Sequence, residues 1–236
     1  MSEAKNILIT GANRGIGLEF VRQYASQGHT IYATSRDNYR SAELRQLKER
    51  YESGQVHILP LEVTDEASRS NFKDMLGDVP IHLFIQNAGI YGPRGLPIEE
   101  VDESVWLQVL HVNTVSPLKM VALLRSNLNA AKNGAIIGML SSKMGSNADN
   151  SSGGNYPYRS SKAALNCVSK SLAVDLAAEN IRVVALHPGW VKTDMGGPNA
   201  LIDTKTSVQG LIHVLSNLTQ EQSGLFINFD GKVIPW

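Results

Sequence analysis

Tyr158 and Lys162 stand four positions apart in a stretch, Tyr158 to Asn180, that reads as a long helix. That spacing places phenol and ammonium on one helix face. A free phenol titrates near pH 10 and shuttles protons sluggishly around neutrality. A cation about 4 Å away is worth about 4 kcal/mol at an effective dielectric near 20, or about 3 pKa units. That is enough to poise the phenol as a proton donor in general acid catalysis. Ser141 and Ser142 follow an apolar run, Ala135 to Leu140, that reads as a buried strand. A hydroxyl at such a strand end, where α/β sheets open into a crevice, can hold the oxygen that receives the proton. Tyr-x3-Lys is frequent by chance, so its weight depends on the company it keeps.

The first such company is Thr10-Gly11-Ala12-Asn13-Arg14-Gly15-Ile16-Gly17, between the apolar run Ile7 to Thr10 and a helical pattern, Ile16 to Gln27, closed by Gly28. Glycines in that place let the chain turn tightly and approach a pyrophosphate, and the helix N-terminus offers N–H groups and partial positive charge. The spacing is Gly-x3-Gly-x-Gly, and no Lys-Ser or Lys-Thr follows the last glycine, so it is not a P-loop. The second strand, Thr30 to Thr34, ends on Ser35-Arg36 and carries no acid there. An acid at that point would bond a ribose 2′-hydroxyl and repel a 2′-phosphate. Arg36, with Arg14 in the glycine loop, could instead pair a 2′-phosphate. Asp37 is the opposing charge one residue on, and the plain alternative is that both arginines are solvated surface cations. The residues favour NADP(H) as cofactor.

The elements that position these groups alternate. Strands are predicted at 7–10, 30–34, 56–59, 81–85, 135–140, 181–187 and around 225–227. Helices are predicted at 16–27, 41–51, from Thr64-Asp65-Glu66, roughly 103–132, 158–180 and about 205–217. Such alternation implies a parallel sheet with helices on both faces, and right-handed crossovers lead to a doubly wound sheet. The expected fold is α/β: a single-domain Rossmann fold of about seven strands over residues 1–236, with the substrate site formed by C-terminal loops. Pro117 falls inside the 103–132 helix, where it predicts a break or kink near Asn113 to Pro117. Residues 88–102, 141–157 and 188–203 read as loops. Asn147 to Gly154 is expected to be a surface excursion, and Met195-Gly196-Gly197-Pro198 the start of a mobile lid.

Composition narrows the function classes. Of 236 residues, 42% are apolar and 19% charged, with acids and bases balanced at 22 each. This describes a globular chain with no global field for nucleic acid or a membrane surface. The lone Cys167 permits no intramolecular disulfide, fits a reducing compartment, and reads as a small core residue in its helix. No signal-peptide pattern and no run of about 18 apolar residues is visible, so a cytoplasmic location is expected. No His/Cys cluster suggests a metal. His187, before Pro188 at a strand end, reads as a buried structural histidine, and Trp106 as a core or interface residue.

With the glycine loop in place, the chain resembles the short-chain dehydrogenase/reductase family. Thr10–Gly17, Asn87-Ala88-Gly89, Asn113, Ser141-Ser142, Tyr158-x3-Lys162 and Pro188-Gly189 with Thr193 occur in the family's order, across essentially the whole chain. The resemblance implies hydride transfer between NADP(H) and a carbonyl or alcohol, with a catalytic set of Asn113, Ser142, Tyr158 and Lys162. In that family the second serine of the pair acts on substrate, Lys162 also bonds the nicotinamide ribose, and Asn113 holds a water that relays protons to Lys162. The resemblance further implies cofactor contacts from Gly11, Asn13, Arg14, Gly15, Ile16, Gly17, Ser35, Arg36, Glu62, Val63, Asn87, Ala88, Gly89, Tyr158, Lys162, Pro188, Gly189, Val191 and Thr193. Glu62 stands where the family usually has Asp. The 16 positions from Ser142 to Tyr158 slightly exceed the common spacing.

Tyr91, Met144, Tyr156, Trp190 and Met195 are candidate pocket walls. Ser160 to Asn166 and His187 to Met195 are most similar to the Sniffer and C-factor branch, which implies a carbonyl reductase. The alternative is a cofactor-binding signalling or sensor protein with weak catalysis. An epimerase or dehydratase is disfavoured by the glycine spacing and the short tail. Similar proteins often form homodimers or homotetramers through the two long helices.

Overall fold

Short runs of Ile, Leu, Val and Phe flanked by turn residues cannot satisfy their backbone alone; they do so by pairing side by side. The computed structural model, which describes residues 4–36, 41–51 and 54–236, forms one fully parallel sheet from them. Its strands are β1 (Asn6–Ile9), β2 (Thr30–Ser35), β3 (Val56–Pro60), β4 (Leu83–Gln86), β5 (Ala135–Leu140), β6 (Ile181–His187) and β7 (Phe226–Asn228). The order is β3-β2-β1-β4-β5-β6-β7, with Ile7 opposite Ile31 on one side and Leu83 on the other. This is the expected single-domain Rossmann sheet. Its order reverses between β1 and β4, the point at which α/β sheets open a crevice at their C-terminal ends. Asp37 lies outside the described residues.

Alternation along each strand feeds two cores. Ile7, Ile9, Ile85 and Val184 face α1 (Gly15–Ser26), α2 (Ala42–Arg50) and α7 (Thr204–Ser216), meeting Phe20, Leu44 and Leu211. Leu8, Phe84, Ile137 and Val183 face α3 (Glu66–Leu76), α5 (Ser116–Asn129) and α6 (Tyr156–Asp175), meeting Phe72, Leu124 and Leu165. Phe20, Phe72 and Phe84 have no exposed surface; truncating any of them to Ala would cost about 3–5 kcal/mol. The cap of α3 is Asp65, whose carboxylate accepts from Ser68 N–H at 2.6 Å, not Thr64.

The predicted break has a defined form. α4 (Glu103–Leu110) runs through a π-helical turn, His111–Val115, into α5. Pro117 has no N–H to give the Asn113 carbonyl four residues back, and the ladder widens so that Ser116 N–H reaches His111 O. The continuous stretch Glu103–Asn129 has a mean hydropathy of 1.2 over its most apolar window. It supplies Val109, Met120, Leu124 and Leu128 to the buried interior. Trp106 is half-buried and donates to Ser160 Oγ at 2.8 Å, tying α4 to α6.

Cys167 corrects the reading of a core cysteine: it is exposed. The buried stripe of α6 runs through Ser161, Lys162, Leu165, Asn166, Ser169, Leu172 and Ala173, and position 167 falls beside that stripe, not on it.

Candidate active site

The first strand end and the first helix form one side of the crevice. Gly11 and Gly15 adopt φ of +62° and +55°, conformations that L side chains rarely take. Gly17 is required by packing instead: a Cβ there would lie 2.3 Å from Gly11 O and 2.5 Å from Asn87 Nδ2. A Cβ on Gly11 would meet Ala88 Cα at 3.0 Å. Asn87 and Ala88 are locked to the same turn. Asn87 Nδ2 donates to Thr10 O and Gly11 O, and the N–H groups of Asn87 and Ala88 both donate to Thr10 Oγ1. Asn13 O accepts from Ser41 Oγ at 2.8 Å.

The start of α1 differs from those of four other helices. α2, α3, α4 and α7 begin with side-chain caps from Ser41, Asp65, Asp102 and Asp203. α1 begins at Arg14 with no side-chain cap and no acid in its first turn. Its leading N–H groups and partial positive charge, over glycines that keep side chains out of the way, fit a dinucleotide pyrophosphate.

The two arginines expected at a 2′-phosphate each face a different carboxylate. Arg14 pairs with Asp194 at 2.5 Å, Arg36 with Glu62 at 3.8 Å, and both guanidinium groups are largely exposed. Exposed pairs of this kind are worth at most about 1 kcal/mol. Glu62 Oε1 also accepts from Thr64 N–H and Oγ1, so the extra methylene relative to Asp is used to hold the turn into α3. Ser35 is buried at the end of β2, and Val63, also buried, gives its carbonyl to Arg69. On the far side, Gly189 takes φ +83° with the Ile202 side chain 2.7 Å from where its Cβ would be. Pro188 O accepts from Ser207 Oγ, Val191 is buried, and Thr193 Oγ1 accepts from Gly196 N–H. Thr193 Cγ2 lies 3.3 Å from a Cβ placed on Gly15, so this loop closes over the glycine turn near Ile16.

Asn113, Ser142, Tyr158 and Lys162, the expected catalytic set, come together at the C-terminal end of β5. The two serines separate clearly. Ser141 Oγ donates to Asn166 Oδ1 at 2.6 Å and is committed to α6, while Ser142 Oγ accepts from Met144 N–H at 3.2 Å and is near enough to the Tyr158 hydroxyl to lower its pKa. Lys162 Nζ donates to Leu140 O at 2.8 Å and lies 5.7 Å from the Tyr158 ring centre. Asn113 is wholly buried in the π-helical turn. Its amide brackets Ile90, accepting from N–H and donating to O, and also donates to Ser161 Oγ. A Cβ on Gly89 would be 3.2 Å from Asn113 Oδ1 and 3.6 Å from Lys162 Nζ, so three family motifs meet at one point.

The electrostatics depart from the expectation built on Lys162 alone. Burial pushes the Tyr158 phenol up to about 12, and Ser142 is the main group pulling it down; Lys162 is not among the causes. Burial also brings Lys162 down to about 8. In this protein environment desolvation outweighs the attraction of the cation. His187 Nδ1 accepts from Lys143 N–H at 3.2 Å, and burial takes its pKa down to about 4, in keeping with a structural histidine.

Of the pocket-wall residues, Tyr91 stacks on Tyr158 with ring centres 4.3 Å apart and points its hydroxyl at Met144 Sδ, 3.4 Å away. Trp190 is half exposed and donates to Gly196 O. Tyr156 instead lines an outer depression with Pro93, Leu96, Val101, Asn155 and Pro157, which contains none of the four grouped side chains. Residues 147–153 form the exposed excursion expected. The sequence reading missed Arg94, whose guanidinium lies over Tyr91 and donates to Met195 O. It also missed Asp194 as the partner of Arg14 and Ser161 as the partner of Asn113. None of these has a spacing signal, since each contact joins segments far apart in the chain.

Comparison with known proteins follows this geometry. Residues 5–201 match the family described as short chain dehydrogenase. The carbonyl reductase Sniffer of D. melanogaster is 34% identical, with a TM-score of 0.92 over 99% of this chain and 100% of that one. An NADPH-bound carbonyl reductase from chicken fatty liver is 36% identical, with a TM-score of 0.91 over the same shares, 99% and 100%. The C-signal of Myxococcus xanthus is 38% identical over 159 residues, 66% of this chain and 93% of that protein. The chain belongs to the short-chain dehydrogenase/reductase family, whose members are oxidoreductases acting on small molecules.

Proposed function

We propose that the protein is an NADPH-dependent carbonyl reductase that reduces a ketone, aldehyde or quinone, with Tyr158 as the proton donor. The observation that carries this reading is the meeting of Ser142, Tyr158 and Lys162 at the C-terminal end of the sheet, beside a helix start free of caps. The bound cofactor supplies the hydride. A phenol held near pKa 12 by burial carries its proton throughout the neutral range, which suits donation to a carbonyl oxygen and hence reduction. Ser142 orients that oxygen. Lys162, largely protonated at neutral pH with a pKa of about 8, bonds the ribose and steadies negative charge as the proton leaves the phenol. Asn113 holds the loop after β4 and contributes to the water relay that returns a proton to Lys162.

The backbone around Gly11, Asn13, Gly15, Ile16 and Gly17 receives the pyrophosphate. Arg14 and Arg36, with Ser35 at the strand end, receive the 2′-phosphate; a charge-assisted bond to phosphate outweighs their weak surface pairings. Val63, beside Glu62, meets adenine. Asn87, Ala88 and Gly89 floor the crevice, and Pro188, Gly189, Val191 and Thr193 orient the nicotinamide carboxamide, with the neighbouring C-terminal loops shaping the substrate site. Similarity to an NADPH-bound carbonyl reductase supports the cofactor choice. The lone cysteine accords with a cytoplasmic setting. Exposed Leu107, Leu118 and Val174 on α4, α5 and α6, with Val115 in the π-helical turn, accord with a homodimer or homotetramer through those helices.

The test is a fluorescence titration with NADPH and NADH, followed by NADPH consumption over a panel of aldehydes, quinones and diketones. Turnover with NADPH that vanishes in Tyr158→Phe is the expected result. Preference for NADH would overturn the roles of Arg14 and Arg36. NADPH binding without turnover on any carbonyl would favour the second reading, a cofactor-binding signalling protein, which the similarity to the C-signal motivates.

A further inference from the structure

The cations around the reaction end are not equally engaged. Lys143 pairs with Asp149 at 3.0 Å. Arg159 donates from each of its three nitrogens, to Gly153 O, Met144 O and Ser152 Oγ, and so serves to hold the excursion onto α6. Arg94 has no carboxylate within ion-pair distance among the described residues. It is exposed, with its guanidinium carbon 4.2 Å from the Tyr91 ring centre and one bond donated to Met195 O. Stacking uses the face of a guanidinium and leaves its edge donors for a planar acceptor. Tyr91 in turn stacks on Tyr158, and the charge of Arg94 is felt at the Tyr158 phenol, where it opposes the effect of burial.

We propose that Arg94 is a specificity-determining residue that anchors a carboxylate carried by the substrate, so that the preferred substrates are carbonyl compounds bearing an anionic group on a spacer. The inference rests on Tyr158 being the proton donor, because Tyr158 marks where the carbonyl sits. One aromatic ring stands between Arg94 and Tyr158, so the carboxylate belongs on an arene or an extended chain and not on the carbon next to the carbonyl. Arene carboxylates meet that requirement and 2-oxo acids do not.

The experiment compares para-formylbenzoate, its neutral methyl ester and phenylglyoxylate as substrates of the whole protein with NADPH. In the unaltered enzyme, kcat/KM for para-formylbenzoate exceeds that for the ester by about ten- to a hundredfold, the value of a charged hydrogen bond, and the difference resides in KM. Phenylglyoxylate gains no such advantage. In Arg94→Ala the ratio of acid to ester falls to about one; Arg94→Lys keeps part of it, having the charge without the fork. A ratio near one in the unaltered enzyme overturns the inference. So does an equal loss on acid and ester in Arg94→Ala, which would make Arg94 only a clasp on Met195. If neither aldehyde is reduced, the reading of Tyr158 fails, and quenching of tryptophan fluorescence by para-formylbenzoate decides Arg94 separately. Weaker binding to Arg94→Ala than to the unaltered protein supports the anchor, and equal binding overturns it.

Discussion

The two ends of the crevice are built from opposite materials. The cofactor end is made of backbone: Gly11, Gly15 and Gly17 stand where a side chain would collide or strain, and the first turn of α1 keeps its N–H groups uncapped. The reaction end is made of buried polar side chains, Ser142, Asn113, Tyr158 and Lys162, and burial displaces the ionisation of Tyr158 and Lys162. In the proposed function the first end recognises by shape and fixed dipoles, and the second works by holding protons at unusual pKa values. Damage to each should therefore read out differently, in affinity at one end and in rate at the other.

The largest effect is expected at the reaction end. Tyr158→Phe removes the donor hydroxyl while keeping the ring that stacks on Tyr91. Loss of general acid catalysis should lower kcat/KM by about a hundred- to ten-thousandfold, with NADPH affinity and the unfolding midpoint nearly retained. A parallel loss of cofactor affinity in the same titration would break the division between the ends.

Next comes the cofactor end. In Gly17→Ala the new methyl would meet Gly11 O and Asn87 Nδ2 inside normal contact distance. Overpacking of this kind costs about 1–3 kcal/mol, and NADPH binding should fall with stability. Gly28→Ala is the control. It has φ +83° but nothing within 4 Å of an added Cβ, so urea melts should show a smaller loss, about 1 kcal/mol or slightly more, and unaltered cofactor affinity. Equal losses at the two glycines would mean that the close approach at Gly17 costs no more than the backbone strain at Gly28, and would break the packing account of Gly17.

What could be read from the sequence follows the same division. The cofactor end was legible because the absence of a Cβ is written in the residue type, and the sheet because apolar runs alternate with helical patterns. The break at Asn113 to Pro117 was legible for an equally local reason, the missing N–H of proline, although its π-helical form and the grip of Asn113 on Ile90 were not. The reaction end was legible in identity but not in energetics. Lys162 is visible four residues from Tyr158, whereas the burial that dominates both groups is a property of the packed whole. Ser141 and Ser142 could be ranked only by resemblance, and Asn166, which takes Ser141 out of the site, lies 25 positions away. Cys167 was misread because one position on a helix decides whether a small residue joins the buried stripe.

A third prediction concerns cofactor choice. Arg14→Ala should weaken NADPH binding by about ten- to a hundredfold and leave NADH nearly unaffected. Asp194→Asn frees Arg14 from its pairing and should strengthen NADPH binding by several-fold at low salt, less at high salt. Titrations at two ionic strengths would check this. Identical effects on both cofactors would assign Arg14 to the pyrophosphate turn, as part of the shape-based recognition, and not to the 2′-phosphate.

The smallest expected effect, near neutrality, separates the ends by pH. His187 closes β6 and its Nδ1 accepts from Lys143 N–H, next to Ser142. Its folded pKa of about 4 lies below the ordinary histidine value of 6.5, so between those values the unfolded chain binds a proton that the folded protein excludes. Stability therefore rises with pH across that window and is lost on acidification toward pH 4, by up to about 1.4 kcal/mol per pH unit and about 1 kcal/mol in total near pH 6. His29 is shifted in the same direction, chiefly by burial, so the contribution of His187 must be read as a difference. In His187→Gln, urea melts should show a shallower acid slope, by up to one proton, between about pH 4 and 6.5. Protonation of His187 removes the acceptor that holds the turn after Ser142 and leaves the glycine turn untouched. Turnover should accordingly decline at acid pH before NADPH affinity does, and that lag should shrink in the variant. A simultaneous loss of both in the unaltered protein would show that the two ends unfold as one unit.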